Sequence, residues 1–257
     1  MTPKCLDILS LPVRDIDLRG AVEWAEERVL SRKPAYICHV NVHTLAESWR
    51  NPALRGALSE ADLAVADGMP LVWLAHRQNG RSTERVYGPD FMTAMLDRAG
   101  PAPDRPWRHF FYGSTPLVME GLLKSVADRF PGASVAGHIT PPFRASTDSE
   151  RDADRRAINA SGADIVWVGL GAPRQEIWMH QNRTQLEPPL LVGAGAAFEF
   201  LAGTKPQAPR WMQRSGLEWS FRLLTEPRRL GPRYARTIPP FLWRVLSNEM
   251  AGWRQRR

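Results

Sequence analysis

The sequence predicts an α/β protein, a parallel β-sheet with helices on both faces, followed by a basic, mostly helical C-terminal appendage. Three observations carry that prediction. Short, nearly continuous apolar runs alternate with segments of helical period, the pattern of strands buried on both faces of a sheet. Polar or glycine-rich residues close most of these runs, where the chain turns from strand to helix. Past residue 204 the strand signals stop, while arginine and proline accumulate. A core at 1–203 and an appendage at 204–257 follow from this change of pattern.

Taken in order, "AYICHVN" (35–41) reads as a strand, followed by helical "TLAESWRN" and "PALRGALSEA". "DLAVADG" (62–68) is a second strand, and a helix begins at Met69 or Pro70. After "RVYGPD" a helix covers 91–99, with Asp90 as its expected N-cap. "RHFFYG" (108–113) is a strand, and "PLVMEGLLKSVADRF" a helix with apolar residues three and four apart. "SVAGHI" (134–139) is a weaker strand before the polar helix "DSERDADRRAINAS". "ADIVWVGLG" (163–171) is the clearest buried strand, with "RQEIWMHQNR" as the helix after it. "PLLVGAGAAFEFLAG" adds a strand and a short helix. In the appendage, prolines at 227, 232, 239 and 240 predict breaks between helices. "PPFLWRVLSNEM" sets Phe241, Leu242, Val245, Leu246 and Met250 on one helical face.

Composition bounds the functional classes. With 257 residues, 43% of them hydrophobic, the chain can build a large core, which argues against wholesale disorder. No apolar run reaches about 18 residues, so no transmembrane helix is expected. "MTPKCLDILSLPVRD" lacks a basic segment followed by a long apolar one, so no signal peptide is expected. Cys5 and Cys38 alone make no disulfide framework, and a reduced, cytoplasmic chain is the simpler expectation. The net charge of +7 is unevenly placed. Residues 205–257 hold 12 Lys/Arg against 3 Asp/Glu, a net +9, and the rest holds 22 against 24, a net −2. Four of the ten tryptophans (211, 219, 243 and 253) also lie in the appendage. Basic and aromatic residues together suit an anionic membrane surface or a nucleic acid.

Four strand ends carry the polar chemistry: Asn41, Asp67-Gly68, Gly113-Ser114 and the stretch 169–176. In an open parallel sheet these carboxyl ends are where ligands bind. Each also has a bland reading as turn chemistry, and Asp67 serves equally well as a helix cap or as a base. "VGLGAPRQE" falls short of a dinucleotide fingerprint because it lacks the third glycine. It still suits a phosphate-facing turn, and Arg85 offers a cation for a diphosphate. "DAD" (152–154) lies between arginines on a polar helix, so a solvated face is expected rather than a Mg²⁺ site. The six histidines show no metal-ligand spacing. His39 falls within a strand and has packing as its bland reading.

The segments "VNVHTLAES", "ADLAVADGMPLVW", "RVYGPDFM", "FFYGS", "VWVGLGAPRQEIWM" and "GAGAAFEFLAGTKPQAPRWMQRSGLEWSFRLLTEPRRLGPRY" resemble, in this order, the WecG/TagA/CpsF family of bacterial glycosyltransferases. The likeness covers roughly residues 35–240, and its last block is the most specific. It implies a Rossmann-like core that uses a UDP-sugar without a metal or other cofactor. The sugar passes with inversion to a polyprenyl-diphosphate-linked saccharide at the cytoplasmic membrane face. The resemblance makes Asp67 the catalytic base. It puts Asn41, His39, Gly68, Arg85, Gly113, Ser114, Gly169, Gly171 and Gln175 around the donor. His39 departs from the pattern, since members commonly carry Thr there. Arg214, Arg222, Arg228, Arg229, Arg233 and Arg236 are the candidates to meet the acceptor's diphosphate or anionic lipid. A nicotinamide-dependent oxidoreductase and a nucleic-acid-binding module are the competing readings. No nucleic acid is expected as a partner, and a homo-oligomer stays open.

Overall fold

In the computed structural model, which describes residues 3–98, 100 and 105–254 (side chains of 249 and 251–254 apart), the chain opens with three elements that the sequence reading lacks. Strands β1 (Cys5–Asp7) and β2 (Pro12–Arg14) form an antiparallel hairpin. Helix α1 (Leu18–Ser31) follows, its first turn capped by Asp17, whose carboxylate accepts from the Gly20 N–H at 2.7 Å. Three-residue strands are too short for a period to show, although Leu6, Ile8, Leu11 and Val13 are buried.

The predicted βα units then follow. They comprise β3 (Ala35–Val40), α2 (Val42–Ser48), α3 (Pro52–Ser59), β4 (Leu63–Ala66), α4 (Met69–Arg77), α5 (Gly88–Leu96) and β5 (Arg108–Gly113). Next come α6 (Pro116–Arg129), β6 (Ser134–Ile139), α7 (Asp148–Ala160), β7 (Ile165–Gly169), α8 (Arg174–Asn182), β8 (Leu190–Gly193) and α9 (Ala197–Leu201). The six strands from β3 onward form one parallel sheet in the order β4-β3-β8-β7-β5-β6. Alternate side chains feed two cores, as the period of two requires. Ile37, Ile165 and Trp167 join α1, α5, α6 and α9 on one face. Tyr36, Cys38, Val166 and Val168 join α2, α3, α4, α8 and the hairpin on the other.

That division positions the site. The chain leaving β3 enters α2 on one face, whereas the chain leaving the adjacent β8 enters α9 on the opposite face. A crevice therefore opens between the carboxyl ends of these neighbours, where open α/β sheets bind ligands.

Two local expectations need correction. Helix α5 begins at Gly88, three residues before the expected start, so Asp90 lies inside the first turn rather than capping it. It pairs there with Arg210 at 2.9 Å. The appendage contains α10 (Arg210–Arg214), α11 (Glu218–Thr225) and a single long helix, α12 (Pro227–Arg254). Pro227 starts α12, but Pro232, Pro239 and Pro240 lie inside it and do not end it. Each interior proline forfeits a hydrogen bond, and packing on α2 offsets the loss: Leu230, Thr237 and Phe241 are buried, and the Arg244 guanidinium lies 4.2 Å from the Trp49 ring. The apolar stripe of α12 is divided by this docking. Phe241 and Val245 pack on the core, while Leu242, Leu246 and Met250 are exposed.

Candidate active site

Asn41 and Asp67 end adjacent strands, and their side chains meet. The Asn41 carbonyl oxygen caps α2, accepting from the His43 and Thr44 N–H groups at 3.0 and 3.2 Å. With its oxygen engaged, the amide nitrogen turns outward and donates to Asp67 Oδ2 at 3.3 Å. Asp67 Oδ1 accepts from the Gly88 N–H at 3.3 Å. The helix after Asp67 takes Gly68 as its N-cap and uses no side-chain cap. The carboxylate is thus not consumed by α4. It lies mostly buried, and desolvation pushes its pKa up to about 6, against the opposing pull of Arg85.

Asp67 stands where two cavities meet. The first, about 450 Å³, runs along the strand ends and takes in His39, Asn41, Asp67, Ser114, Gly169, Gly171 and Gln175. The second, about 500 Å³, lies under the appendage and is lined by Met69, Pro70, Trp219, Tyr234, Ile238 and Phe241, with Gly68 and Arg85 at its edge. Asn41, His43, Asp67, Glu218, Arg222 and Arg233 belong to both.

The remaining candidates are held in different ways. His39 is buried; its Nδ1 bonds the Gly193 carbonyl oxygen at 3.0 Å, its Nε2 has no partner, and burial lowers its pKa to about 4. It is a neutral group at the cleft floor. Gln175 is clamped, donating to Glu176 Oε1 at 2.9 Å and accepting from the Gly195 N–H at 3.1 Å. Glu176 is almost fully buried, which raises its carboxyl to about 7, and its Oε2 is unpartnered. Gly113 does not line the cleft. A Cβ there would lie 2.6 Å from the Gly169 carbonyl carbon, at a φ of +126°. Its service is to let β5 pass close to β7 and turn into Ser114, whose N–H donates to the Gly169 carbonyl oxygen at 3.1 Å.

The arginines divide. Arg222, Arg229 and Arg233 line the first cavity, Arg229 exposed and paired with Glu226, whereas Arg214, Arg228 and Arg236 are exposed and line neither. Arg222 and Arg233 make no ion pair among the described residues, so their charge is available to an anion. Arg85 is already engaged: its guanidinium pairs with Glu218 and faces the second cavity, not the first. Arg174 and Glu176 also line the cleft, from the stretch 169–176 that the sequence marks without singling them out. His43, Tyr87 and Glu218 line it too, and nothing in the local pattern of Tyr87 or Glu218 marks them. Asp152 pairs with Arg155, and Asp154 accepts from the Tyr112 hydroxyl at 2.9 Å, as a helix face does. Among the described residues no group of three or more His, Cys, Asp or Glu is placed to hold a metal.

A strand-end cleft that joins a partly buried carboxylate to unpaired guanidiniums has the chemical parts that group transfer from an anionic donor would use. Comparison with known proteins gives the class its particular form: the chain belongs to the glycosyl transferase WecG/TagA/CpsF family, whose model matches residues 6–255, and it is a glycosyltransferase. It is similar to the N-acetylglucosaminyldiphosphoundecaprenol N-acetyl-beta-D-mannosaminyltransferase of Bacillus spizizenii, 33% identical over 93% of this chain and 89% of the relative. The protein so named from Bacillus subtilis is 27% identical over 90% of each chain.

Proposed function

We propose that this enzyme moves a hexose-type sugar from a UDP-sugar to a polyprenyl-diphosphate-linked saccharide, with inversion and without a metal. N-acetylmannosamine and N-acetylglucosaminyl-diphosphoundecaprenol are the first donor and acceptor to try, by the names of the relatives. The observation that carries the reading is the position of Asp67 between a cleft lined by cations and a cavity lined by apolar side chains. The donor occupies the first and the acceptor approaches through the second. Inversion then needs one base: Asp67 takes the proton of the acceptor hydroxyl as its oxygen attacks the anomeric carbon, and UDP leaves from the opposite side. A carboxyl titrating at about 6 is ionised at neutral pH and is a stronger base than an ordinary carboxylate. The leaving diphosphate gains negative charge, which Arg174, Arg222, Arg229 and Arg233 are placed to meet. Asn41 holds the carboxylate and Gln175 faces the donor sugar.

The basic appendage, with Trp211, Trp219, Leu224 and Trp243 exposed, suits peripheral attachment to an anionic membrane. No described helix is long and apolar enough to cross one. The pathway this implies is cell-surface polysaccharide biosynthesis at the inner membrane face. The deciding experiment offers a panel of UDP-hexoses and the lipid-linked acceptor to the full chain and reads the product by mass spectrometry. Asp67→Asn should cut turnover by about 10²–10⁴; near-normal turnover by that variant refutes the base.

A further inference from the structure

Glu218 belongs to the appendage but serves the base. It opens α11 with its side chain only 13% exposed. One carboxylate oxygen pairs with Nη2 of Arg85, and the other accepts from the Tyr87 hydroxyl at 3.1 Å. Arg85 is spread between core and appendage. Its Nε donates to the backbone carbonyl of Asp67 at 2.7 Å, its Nη1 reaches the Gln213 carbonyl at 3.5 Å, and its guanidinium lies 4.0 Å from the Tyr87 ring. A cation anchored on the base's own backbone has two carboxylates whose charge it feels, Asp67 and Glu218. In this structure Glu218 holds it.

We propose that Glu218 is a positioning residue for the transfer reaction: by holding Arg85 as its ion-pair partner, it leaves the Asp67 carboxylate free to accept the acceptor's proton. A carboxylate paired with guanidinium is a weak base, because the cation stabilises its charged form and occupies its lone pairs. Without Glu218 the pairing of Arg85 passes to Asp67, whose carbonyl it already grips. The other groups facing Asp67 do not perform this exchange. The Asn41 amide and the Gly88 N–H each donate one hydrogen bond, and the Tyr87 hydroxyl is committed to Glu218. His43 is kept neutral near pH 6, since burial and then Arg233 and Arg222 lower its pKa to about 4. Arg222 and Arg233 border the same cavity from α11 and α12.

The inference rests on Asp67 being the base, and the test separates the two claims. The pH profile of kcat/KM is measured on the full chain for the wild type, Glu218→Gln, Glu218→Asp, Arg85→Gln and the Arg85→Gln/Glu218→Gln pair. The wild-type acid limb is expected near pH 6. Glu218→Gln should move it about one unit lower and reduce the plateau about 3–10-fold, as a weakened base does. Glu218→Asp should keep the limb in place by keeping the charge. The double variant should return the limb towards the wild-type position, because neither the cation nor its counter-ion remains. A Glu218→Gln limb that stays put, with only affinity or thermal stability reduced, shows a merely structural latch and overturns the proposal. Full turnover by Asp67→Asn removes the base itself, a different result from an unmoved limb.

Discussion

Burial of the Asp67 carboxylate works against stability at neutral pH, and the sign of that effect is measurable. Its carboxyl titrates at about 6 in the folded chain and at about 3.9 in an unfolded one. The folded state therefore holds the proton more tightly. This group's contribution to stability is greatest below about pH 4, falls as the pH rises to 6, and above that is a constant cost. The side chain is mostly buried but keeps some contact with the cleft, so the cost is about 2 kcal/mol, somewhat below the full value of two pKa units. Asp67→Asn should accordingly melt no lower than the wild type at pH 7.5, and higher by a few degrees, while losing turnover. A lower Tm for Asp67→Asn at that pH would mean that the carboxylate is a structural acceptor for Asn41 and Gly88. Arg222→Ala and Arg233→Ala should weaken UDP binding, read by calorimetry. Arg236→Ala, exposed and lining neither cavity, should leave UDP binding unchanged.

Among the elements, α12 contributes lining to both cavities. It packs on α2, the helix that Asn41 caps, so the hydrogen-bond partner of Asp67 and the appendage share one support. Phe241 is the buried anchor of that packing. Phe241→Ala should cost about 3 kcal/mol at the α12–α2 contact. The expected result is faster proteolytic cleavage within residues 227–254 and a large loss of turnover, with the sheet still folded by circular dichroism. Unchanged proteolysis would show that the interior prolines are tolerated without this packing. The hairpin β1–β2 shows the same dependence on context, since its three-residue strands exist because their apolar side chains cover one core.

At the scale of the whole molecule, the charge is uneven: residues 205–257 hold a net +9 and the rest of the sequence a net −2. Each Lys or Arg near an anionic surface contributes about 1 kcal/mol, so the membrane attachment proposed above needs no spanning helix. A chain ending before Thr204 should lose binding to anionic liposomes and nearly all turnover of lipid-linked acceptor. It should keep weakened binding of UDP, because Arg222, Arg229 and Arg233 leave with the appendage and Arg174 stays. Sedimentation of the shortened chain with liposomes to the wild-type extent would refute the anchor. Activity should also survive EDTA, and a strict need for Mg²⁺ or Mn²⁺ would contradict arginine as the diphosphate's counter-charge.

Much of this organisation was legible in the sequence because it is local. Strands buried on both faces must read as apolar runs, and chain turns at strand ends must carry residues such as Asn41, Asp67-Gly68 and Gly113. The motif order along 35–240 pointed to the family that the whole-chain match then showed. Roles that depend on distant charge left no such mark. Whether Asp67 capped α4 or faced a cavity was settled only when Gly68 took the cap and Gly88, from another helix, supplied the N–H. Arg85 was read as a free cation, yet its partner Glu218 lies 133 residues away. The six arginines of the appendage look alike in one dimension, and folding alone sends three to the cleft and three to solvent. Periodicity records which face of an element is buried, because burial acts on neighbours in the chain. The partner that meets a charge is chosen by the packing of whole elements, and that is written only in the tertiary structure.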